Sequence, residues 1–387
     1  MTLLRSALLA PLLLAVPPAQ SPQLRDLPKP ARELEEPFSQ IAAVMELQSG
    51  KVLVIDQIEG TLNQVDFATG ARTQIGRQGS GPGEFRTPTG LGRLAGDTIW
   101  VFDGTQQRIV VLNPNLTPGT TFPLLTMDAG ASTVLTAPML VDLRGRMFAS
   151  SMKVQLGGNN MALPDSATIV RFDPRAEGRR SELARVRLPL SGSPSVQQDP
   201  VTRSMKISTT FSGMVTADAW TVFRDGRVAL VRGGGYTVEF ISPDGQRTPA
   251  AAIPYQRTAV TDADRKAELD EARRLMVEQN KMATRMMPAG VTVDFELLPP
   301  ANWPSHYPAV APFGAIAAPD GRLWVKRAVP IRVAREQWDV IDQAGQLVAR
   351  WQLPPKTALA GVGPSAIYTV RTDADDLRYL QRIELPR

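Results

Sequence analysis

The only histidine of this chain, His306, is its clearest candidate for acid–base chemistry near neutral pH. It lies within Trp303-Pro304-Ser305-His306-Tyr307-Pro308, a segment of prolines and aromatic residues. An imidazole in a loop can act as a base or contact a ligand, because its ordinary pKa is close to neutrality. The alternative is a loop histidine packed on Tyr307, and the residue types favour that alternative.

The counts of cysteine and histidine exclude several kinds of active site. The chain has no cysteine and one histidine, so thiol nucleophiles, Cys-based zinc sites and zinc sites of several histidines are excluded. No Gly-x-Ser-x-Gly nucleophile elbow occurs. The acidic runs Asp262-Ala263-Asp264 and Asp373-Ala374-Asp375-Asp376 lack the other positions of a calcium loop. We assign no catalytic residue and no metal ligand from the sequence.

A glycine-rich turn, Gly76–Phe85, is another feature that could bind a ligand. Backbone N–H groups of such turns can hold a phosphate where the turn opens a helix. This turn instead precedes Pro88 and the predicted strand at 98–102, and Gly233-Gly234-Gly235 also opens no helix. Both are therefore predicted to be connections between strands.

Short β segments recur along the chain and would position any site. They are spaced by about 47 residues in the first three copies, within the range of propeller blades. Most follow a turn that contains glycine, and a second strand follows most of them. The recurring segments are Val52–Ile55, Thr98–Val101, Arg146–Ala149, Arg227–Leu230, Arg322–Val325 and Ala366–Thr369.

This repeat predicts an all-β fold, a six-bladed β-propeller of four-stranded antiparallel blades with one helical insertion. The predicted blades span 38–87, 88–131, 132–190, 210–258, 305–355 and 357–387. The last blade is short, and Arg32–Glu36 is predicted to pair with it and close the ring.

Two insertions interrupt the repeat. Residues 191–209 are polar and are predicted to be a loop. Residues 261–287 are predicted to be the one long helix, with Thr261 as N-cap and Asp264 as its capping-box acid. Its apolar stripe would pack against the propeller or form a lid over one face of the channel. The stripe comprises Leu269, Ala272, Met276, Ala283 and Met286.

The best-defined unit resembles an NHL-type blade. It contains Gly79-Ser80-Gly81-Pro82-Gly83-Glu84-Phe85, then Asp103, Arg108 and Ile109, and the late segment 320–325 also fits. The chain after residue 20 is similar to bacterial six-bladed propellers related to NHL repeats, most of them without assigned activity. The resemblance implies that Asp103 and Arg108 hold a hairpin together. It implies structural roles for Gly81, Gly83, Phe85, Asp103 and Arg108.

The N-terminus predicts export. Arg5 and the apolar run Ala7–Val16 are typical of a signal peptide over residues 1–20. The remainder, 21–387, is predicted to be a single propeller domain in the periplasm or outside the cell, monomeric and without a membrane span. The net charge of +5 is spread along the chain, so no nucleic-acid partner is expected.

The sequence leaves two functions open. The first is non-catalytic binding of a protein or small ligand near one face of the ring, without a cofactor. Polar and aromatic residues near predicted loops are the candidate contacts. They are Trp303, His306, Tyr307, Arg327 and Arg335. The alternative is a calcium-dependent lactonase or hydrolase that uses carboxylates facing the channel.

Overall fold

The computed structural model describes residues 21–124, 133–157, 160–176, 180–189, 194–199, 204–286 and 293–384. The predicted signal peptide lies outside these ranges. Within them, no helix combines the length and the apolar character that a membrane crossing requires.

The described elements are short strands and one long helix. The strands of the first half are β1 (Leu24–Asp26), β2 (Arg32–Glu33), β3 (Ile41–Glu46), β4 (Val52–Asp56), β5 (Thr61–Val65), β6 (Arg72–Gln78), β7 (Glu84–Phe85), β8 (Pro88–Arg93), β9 (Ile99–Asp103), β10 (Arg108–Leu112), β11 (Pro118–Pro123), β12 (Thr133–Val141), β13 (Met147–Lys153), β14 (Gln155–Gly157), β15 (Asn160–Ala162), β16 (Ser166–Phe172) and β17 (Ser181–Arg187). Those of the second half are β18 (Ser195–Gln198), β19 (Met205–Thr210), β20 (Ala219–Val222), β21 (Val228–Arg232), β22 (Thr237–Ile241), β23 (Arg247–Ala252), β24 (Val293–Leu298), β25 (Val310–Ala317), β26 (Leu323–Arg327), β27 (Gln337–Ile341), β28 (Leu347–Gln352), β29 (Thr357–Val362), β30 (Ala366–Thr372) and β31 (Arg378–Glu384). The helix is α1 (Asp262–Met286), and 3-10 turns lie at Ala95–Asp97 and Ile331–Val333.

Six sheets follow one another along the chain, each with four antiparallel strands. They are β3–β6, β8–β11, β12-β13-β16-β17, β20–β23, β25–β28 and β29-β30-β31-β2. Their first strands contact one another in a closed cycle, from β3 through β8, β12, β20, β25 and β29 back to β3. This arrangement is that of a β-propeller, and its six sheets are consistent with the six blades that the repeat predicts.

The N-terminal segment closes the ring. Strand β2 is the outermost strand of the sixth blade, where Arg32 pairs with Arg382 and Glu33 with Gln381. Glu33 also binds Arg371 at 2.7 Å. The predicted closure by residues 32–36 is confirmed, and it removes a sheet edge that would otherwise be exposed. Strand β1 runs parallel to β28 on the outside of the fifth blade.

The core lies between blades. The second strand of the first blade, β4, is buried at all five positions, because both of its faces are covered by neighbouring blades. Phe85 is fully buried among Ile55 and Leu62 of the first blade and Ile99 and Val101 of the second. Its predicted position between blades is confirmed.

The prediction of a loop at 191–209 is wrong. Strands β18 and β19 lie there, in a seventh sheet of order β14-β15-β18-β19-β24 that we call the cap sheet. Strand β19 pairs in parallel with β24, from Met205↔Val293 to Thr210↔Leu298. This polar segment forms strands because β18 and β19 pair with each other and β19 pairs with β24. The partner β24 lies more than eighty positions away in sequence, and local composition carries no signal of it.

All of these additions lie on one face of the ring. Strands alternate in direction within a blade, so the link between its second and third strands shares a face with the link to the next blade. Strands β14 and β15 lie in a link of the first kind, whereas β18, β19, α1 and β24 lie in links of the second kind. We call this the capped face.

Candidate functional site: a cleft on the capped face

Helix α1 begins at a complete capping box. The Asp264 carboxylate accepts bonds from the Thr261 amide at 3.0 Å and the Thr261 hydroxyl at 2.7 Å, and the Asp264 amide donates to that hydroxyl at 3.2 Å. Asp264 is 4% exposed and also pairs with Arg332 of the fifth blade. The predicted helix and its cap are confirmed, and Asp264 additionally fixes the helix to the ring.

One turn further along, Glu268 makes a second connection to the fifth blade. Its Oε1 accepts a bond from the Tyr307 hydroxyl at 3.1 Å and from the Ile331 amide at 3.2 Å. Burial raises the pKa of the Glu268 carboxyl, although the two donors oppose that shift. Leu269 lies in a cluster with Phe211, Met214, Val260 and Tyr307, so the first half of α1 is held by packing as well as by polar contacts.

The second half of α1 is less engaged. Leu275 and Val277 are 49% and 52% exposed, and the Ala283 and Met286 side chains of the predicted stripe lie outside the described residues. The helix contacts β24 and the 3-10 turn at 331–333. It therefore packs against the cap sheet and against a link of the fifth blade.

An open cleft of about 820 Å³ lies beside this helix. One wall is α1, and the other walls are links of the fifth and sixth blades together with the start of β25. A cleft of this size is in the range of small-molecule sites. It is lined by Gly213, Glu268, Glu271, Arg274, Tyr307, 311–312, 326–331, 334–336, 356–358, 372–373 and Asp376.

The cleft has equal numbers of charged side chains of each sign, five acidic and five basic. Most of them are neutralised locally. Lys326 pairs with Glu336, Arg274 with Glu271 at 2.7 Å, and Arg335 with Asp26. Lys356 has no ion pair with any other described residue. Asp373 and Asp376 of the lining also form no ion pair with a described residue, so the cleft is a mixed surface in which Lys356 is the one cation without a carboxylate partner.

Three of the five residues proposed from the sequence lie at this cleft: Tyr307, Arg327 and Arg335. Arg335 donates to the Leu353 carbonyl at 2.7 Å. Arg327 donates to the Ala309 carbonyl at 2.8 Å and lies 3.4 Å from the Asp339 carboxylate. Both guanidinium groups thus also hold the fold together.

Asp339 is the centre of a polar network between the fourth and fifth blades. It is 2% exposed and accepts a bond from the Tyr236 hydroxyl at 2.6 Å. Arg350 approaches its other oxygen at 3.3 Å. Asp339 raises the pKa of Tyr236, with burial as the larger cause. This network is structural, and it includes Arg327 at the edge of the cleft.

Trp303 and His306 lie apart from the cleft lining. Trp303 packs against Phe211, with ring centroids 5.6 Å apart. His306 forms an isolated bridge with Ala259, and its Nδ1 lies 3.0 Å from the Ser305 hydroxyl. In this bridge His306 is exposed whereas Tyr307 is buried.

Sequence reasoning missed Glu268, Lys326, Glu336 and Lys356. Glu268 was hidden among the charged residues of α1, where only the position of the helix on the ring distinguishes it. Lys356 follows Pro354-Pro355 and has a φ of +54°. A non-glycine residue with that φ can be found only from the structure.

The glycine-rich turn is filled by the chain itself. The Glu84 carboxylate accepts bonds from the amides of Ser80 at 3.0 Å and Gly81 at 2.9 Å. Arg108 donates to the carbonyls of Ser80 at 3.2 Å and Glu84 at 2.7 Å. The turn therefore offers no open anion cradle, as its predicted role as a connection requires.

The roles implied for Asp103 and Arg108 need refinement. Asp103 accepts bonds from the amides of Arg86 at 2.9 Å and Thr87 at 3.1 Å, so it fastens the link between blades. Arg108 Nε lies 3.8 Å from Asp103, a longer contact than those it makes with the turn. The two residues hold the preceding connection more than their own hairpin.

The channel offers little acid. Among the first strands of the blades, the ionisable residues are Glu46 and Arg93. Arg93 donates to the Glu46 carbonyl, and the Glu46 carboxylate accepts a bond from the Ser365 hydroxyl at 2.5 Å. Across the described ranges, no three His, Asp or Glu side chains converge as a metal site would require.

Comparisons with known proteins identify the fold. No protein-family model matches the chain, and no curated protein matches its sequence. A member of the DUF4221 family from Bacteroides vulgatus has a similar structure, with a TM-score of 0.51 and 10% identity over 94% of this chain and 98% of that chain. A gluconolactonase from Xanthomonas campestris has a TM-score of 0.43 and 10% identity over 94% and 97%. At 10% identity, the likeness to the DUF4221 protein concerns the fold alone.

Proposed function

We propose that this protein is a non-catalytic binding protein that holds a small ligand in the cleft of the capped face. The observation that supports this most is that every insertion in the repeat lies on that face. A ring of six blades does not need the cap sheet or α1 for closure, since its first strands already form a complete cycle.

The geometry of α1 adds to this support. Asp264 and Glu268 fix the first two turns of the helix to the link at 331–332. The helix therefore stands beside the cleft as a rigid wall, and a preformed wall reduces the entropy lost on binding. Ala311, Pro312, Val329, Pro330 and Ile331 give the cleft an apolar part, beside charged groups that can orient a ligand.

The proposal includes export. It is supported by Arg5 and the apolar run Ala7–Val16, which have the length and charge of a signal peptide. A binding protein outside the cytoplasm would then meet ligands from the surroundings of the cell.

The alternative, a calcium-dependent lactonase or hydrolase, is less well supported. It would need several carboxylate or amide oxygens around one point of the channel. Glu46 is the one acid in the first strands of the blades, and its carboxylate is engaged with Ser365. We therefore rank binding above hydrolysis.

The test is to obstruct the cleft and one other site separately. Ala358 is exposed and lines the cleft, so Ala358→Trp should fill part of it without disturbing the core. Ala68 is exposed and lines a different cleft on the opposite face, so Ala68→Trp is the matched control. A panel of small acids, bases and neutral apolar compounds is read by saturation-transfer NMR. Compounds that bind the wild type should be lost in Ala358→Trp and kept in Ala68→Trp. Equal binding to both variants would contradict the proposal.

A further inference from the structure

Phe313 occupies an unusual bulge directly after Ala311 and Pro312, two residues that line the cleft. Along β25, Val310 pairs with Arg327 and the next pair is Ala315 with Val325. Four residues of β25 therefore face one residue of β26. The corresponding irregularities in β3, β8 and β29 accommodate a single extra residue each. Bulges of this kind redirect a side chain, and they are common next to functional sites.

The backbone of Phe313 is strained. Its φ is +56°, a region that glycine or asparagine occupies easily and that a bulky aromatic residue avoids. Neighbouring Gly314 is required by close packing, because a Cβ there would lie 2.8 Å from the Ala311 carbonyl oxygen. Strain of this kind persists where the surrounding structure enforces it, and it is concentrated at functional sites.

Packing does not explain why this residue is aromatic. Phe313 is 59% exposed, the highest value among the large hydrophobic residues that are exposed in the described ranges. It belongs to none of the hydrophobic clusters of the described residues. A glycine at this position would relieve the backbone and cost no buried contact. The ring is therefore available to a ligand.

Lys356 repeats this combination on the neighbouring blade. It has a φ of +54°, its side chain is exposed, and it lines the cleft together with Ala311 and Pro312. It immediately precedes β29, whose strand contacts β25. Both residues thus lie at the capped-face ends of adjacent first strands. The other four cations of the cleft, unlike Lys356, have carboxylate partners.

We propose that Phe313 and Lys356 form a contact pair for an amphipathic anion, a ligand with an apolar group joined to a carboxylate or similar head. The ring of Phe313 covers the apolar group, and the Lys356 ammonium binds the head. This inference rests on the proposed function, because it names the chemistry of the ligand held in the same cleft.

The test uses 8-anilino-1-naphthalenesulfonate, an aromatic anion whose fluorescence reports binding. The native protein should bind it at one saturable site, and 1-naphthoate or decanoate should displace it whereas 1-naphthylmethylamine should not. Phe313→Gly should weaken binding about tenfold or more, the scale of a truncated aromatic anchor. It should also raise the melting temperature, because the strain is relieved. Lys356→Gly should likewise weaken binding and raise the melting temperature.

Gln107→Gly is the matched control, because Gln107 has a φ of +45° in an exposed turn of the second blade. It should raise the melting temperature and leave probe binding unchanged. Phe313→Asn provides a second variant should Phe313→Gly fold poorly. Unchanged probe affinity in the Phe313 and Lys356 variants, or a preference for the amine, would overturn this inference. The proposed function would survive that result if Ala358→Trp still abolished binding of the compound panel, and it would fail if Ala358→Trp did not.

Discussion

Two parts of the capped face carry out opposite tasks with similar residue types. Beside the first and second blades, the glycine-rich turn is sealed: Glu84 accepts from its amides, and Arg108 donates to its carbonyls. Beside the fifth and sixth blades, acids and cations are paired around an open cleft of about 820 Å³. In the first part, the turn amides and carbonyls named above already have hydrogen-bond partners within the chain. In the second part, the side chains of Lys356 and Phe313 are exposed.

The difference comes from the lengths of equivalent links. Only residues 79–87 separate β6 from β8, whereas 253–309 separate β23 from β25. A short link is just long enough to join two blades. A long link can include additional elements such as α1 and β24, which lie on the capped face. The regular part therefore defines the fold, and the interrupted part carries the binding surface.

The largest expected effect separates the aromatic residues of the two parts. Phe85→Ala should lower the free energy of unfolding by about 3–5 kcal/mol, because it opens a cavity between two blades. Phe313→Ala should lower it by less than about 0.5 kcal/mol, because no packing is lost at an exposed position. Urea denaturation measures both values. A similar loss in the two variants would show that Phe313 supports the fold.

The next effect concerns the attachment of α1. Asp264→Ala removes the capping box and the pair with Arg332, and should cost about 1–3 kcal/mol. Amide hydrogen exchange should then accelerate in α1 and remain unchanged at 79–87. Asp262→Ala is the control, because Asp262 is 94% exposed and pairs only with Arg265 in the described structure. If Asp264→Ala left exchange in α1 unchanged, the helix would be held by other contacts.

The two parts should also respond to pH in opposite directions. Burial raises the pKa of Glu268 above its ordinary value of 4.5, so the folded state retains this proton longer than the unfolded state does. Its contribution to stability should fall as the pH rises from 4.5 through the raised pKa. The Gly81 amide, followed by Arg77, lowers the pKa of Glu84, so its contribution is present above 4.5 and is lost as the pH falls.

Urea denaturation between pH 3 and 7 measures this contrast through two variants. As the pH rises, the stability of Glu268→Gln relative to wild type should increase. Over the acidic part of the range, the stability of Glu84→Gln relative to wild type should decrease as the pH rises. If the relative stability of both variants changed in the same direction with pH, the assigned environments would be contradicted.

The smallest expected effect lies on the outer surface of α1. Lys266 pairs with Asp270, but the two side chains are 80% and 51% exposed. Lys266→Ala should change the free energy of unfolding by less than about 0.5 kcal/mol, as is usual for an exposed pair one helical turn apart. Binding of the compound panel should be unchanged. Weaker binding would extend the functional surface beyond the cleft.

Much of the fold was predictable, because its signals are local and repeated. Glycine turns before apolar strands mark the blades, and Thr261 with Asp264 marks the start of α1. The cap sheet was not predictable, since β19 depends on β24 across the whole of the fourth blade and α1. Its polar residues form strands through the hairpin of β18 and β19 together with this distant pairing.

The site was predictable in part. Aromatic and basic residues near loops pointed to Tyr307, Arg327 and Arg335, and these line the cleft. His306 was a candidate because of its side-chain chemistry. It lies in an isolated bridge with Ala259, where its side chain is exposed and that of Tyr307 is buried. Phe313 and Lys356 were missed because their distinguishing property is a left-handed backbone, which their residue types do not announce.

Hydrogen exchange with and without a bound compound tests most directly whether the cleft beside α1 binds the ligand. The compound from the panel that binds the wild type most tightly is the probe. Binding in the cleft should slow exchange in 326–336 and at 356–358, with no change in the glycine-rich turn at 79–87. Slower exchange confined to the opposite face, around 49–51 and 365–368, would contradict it.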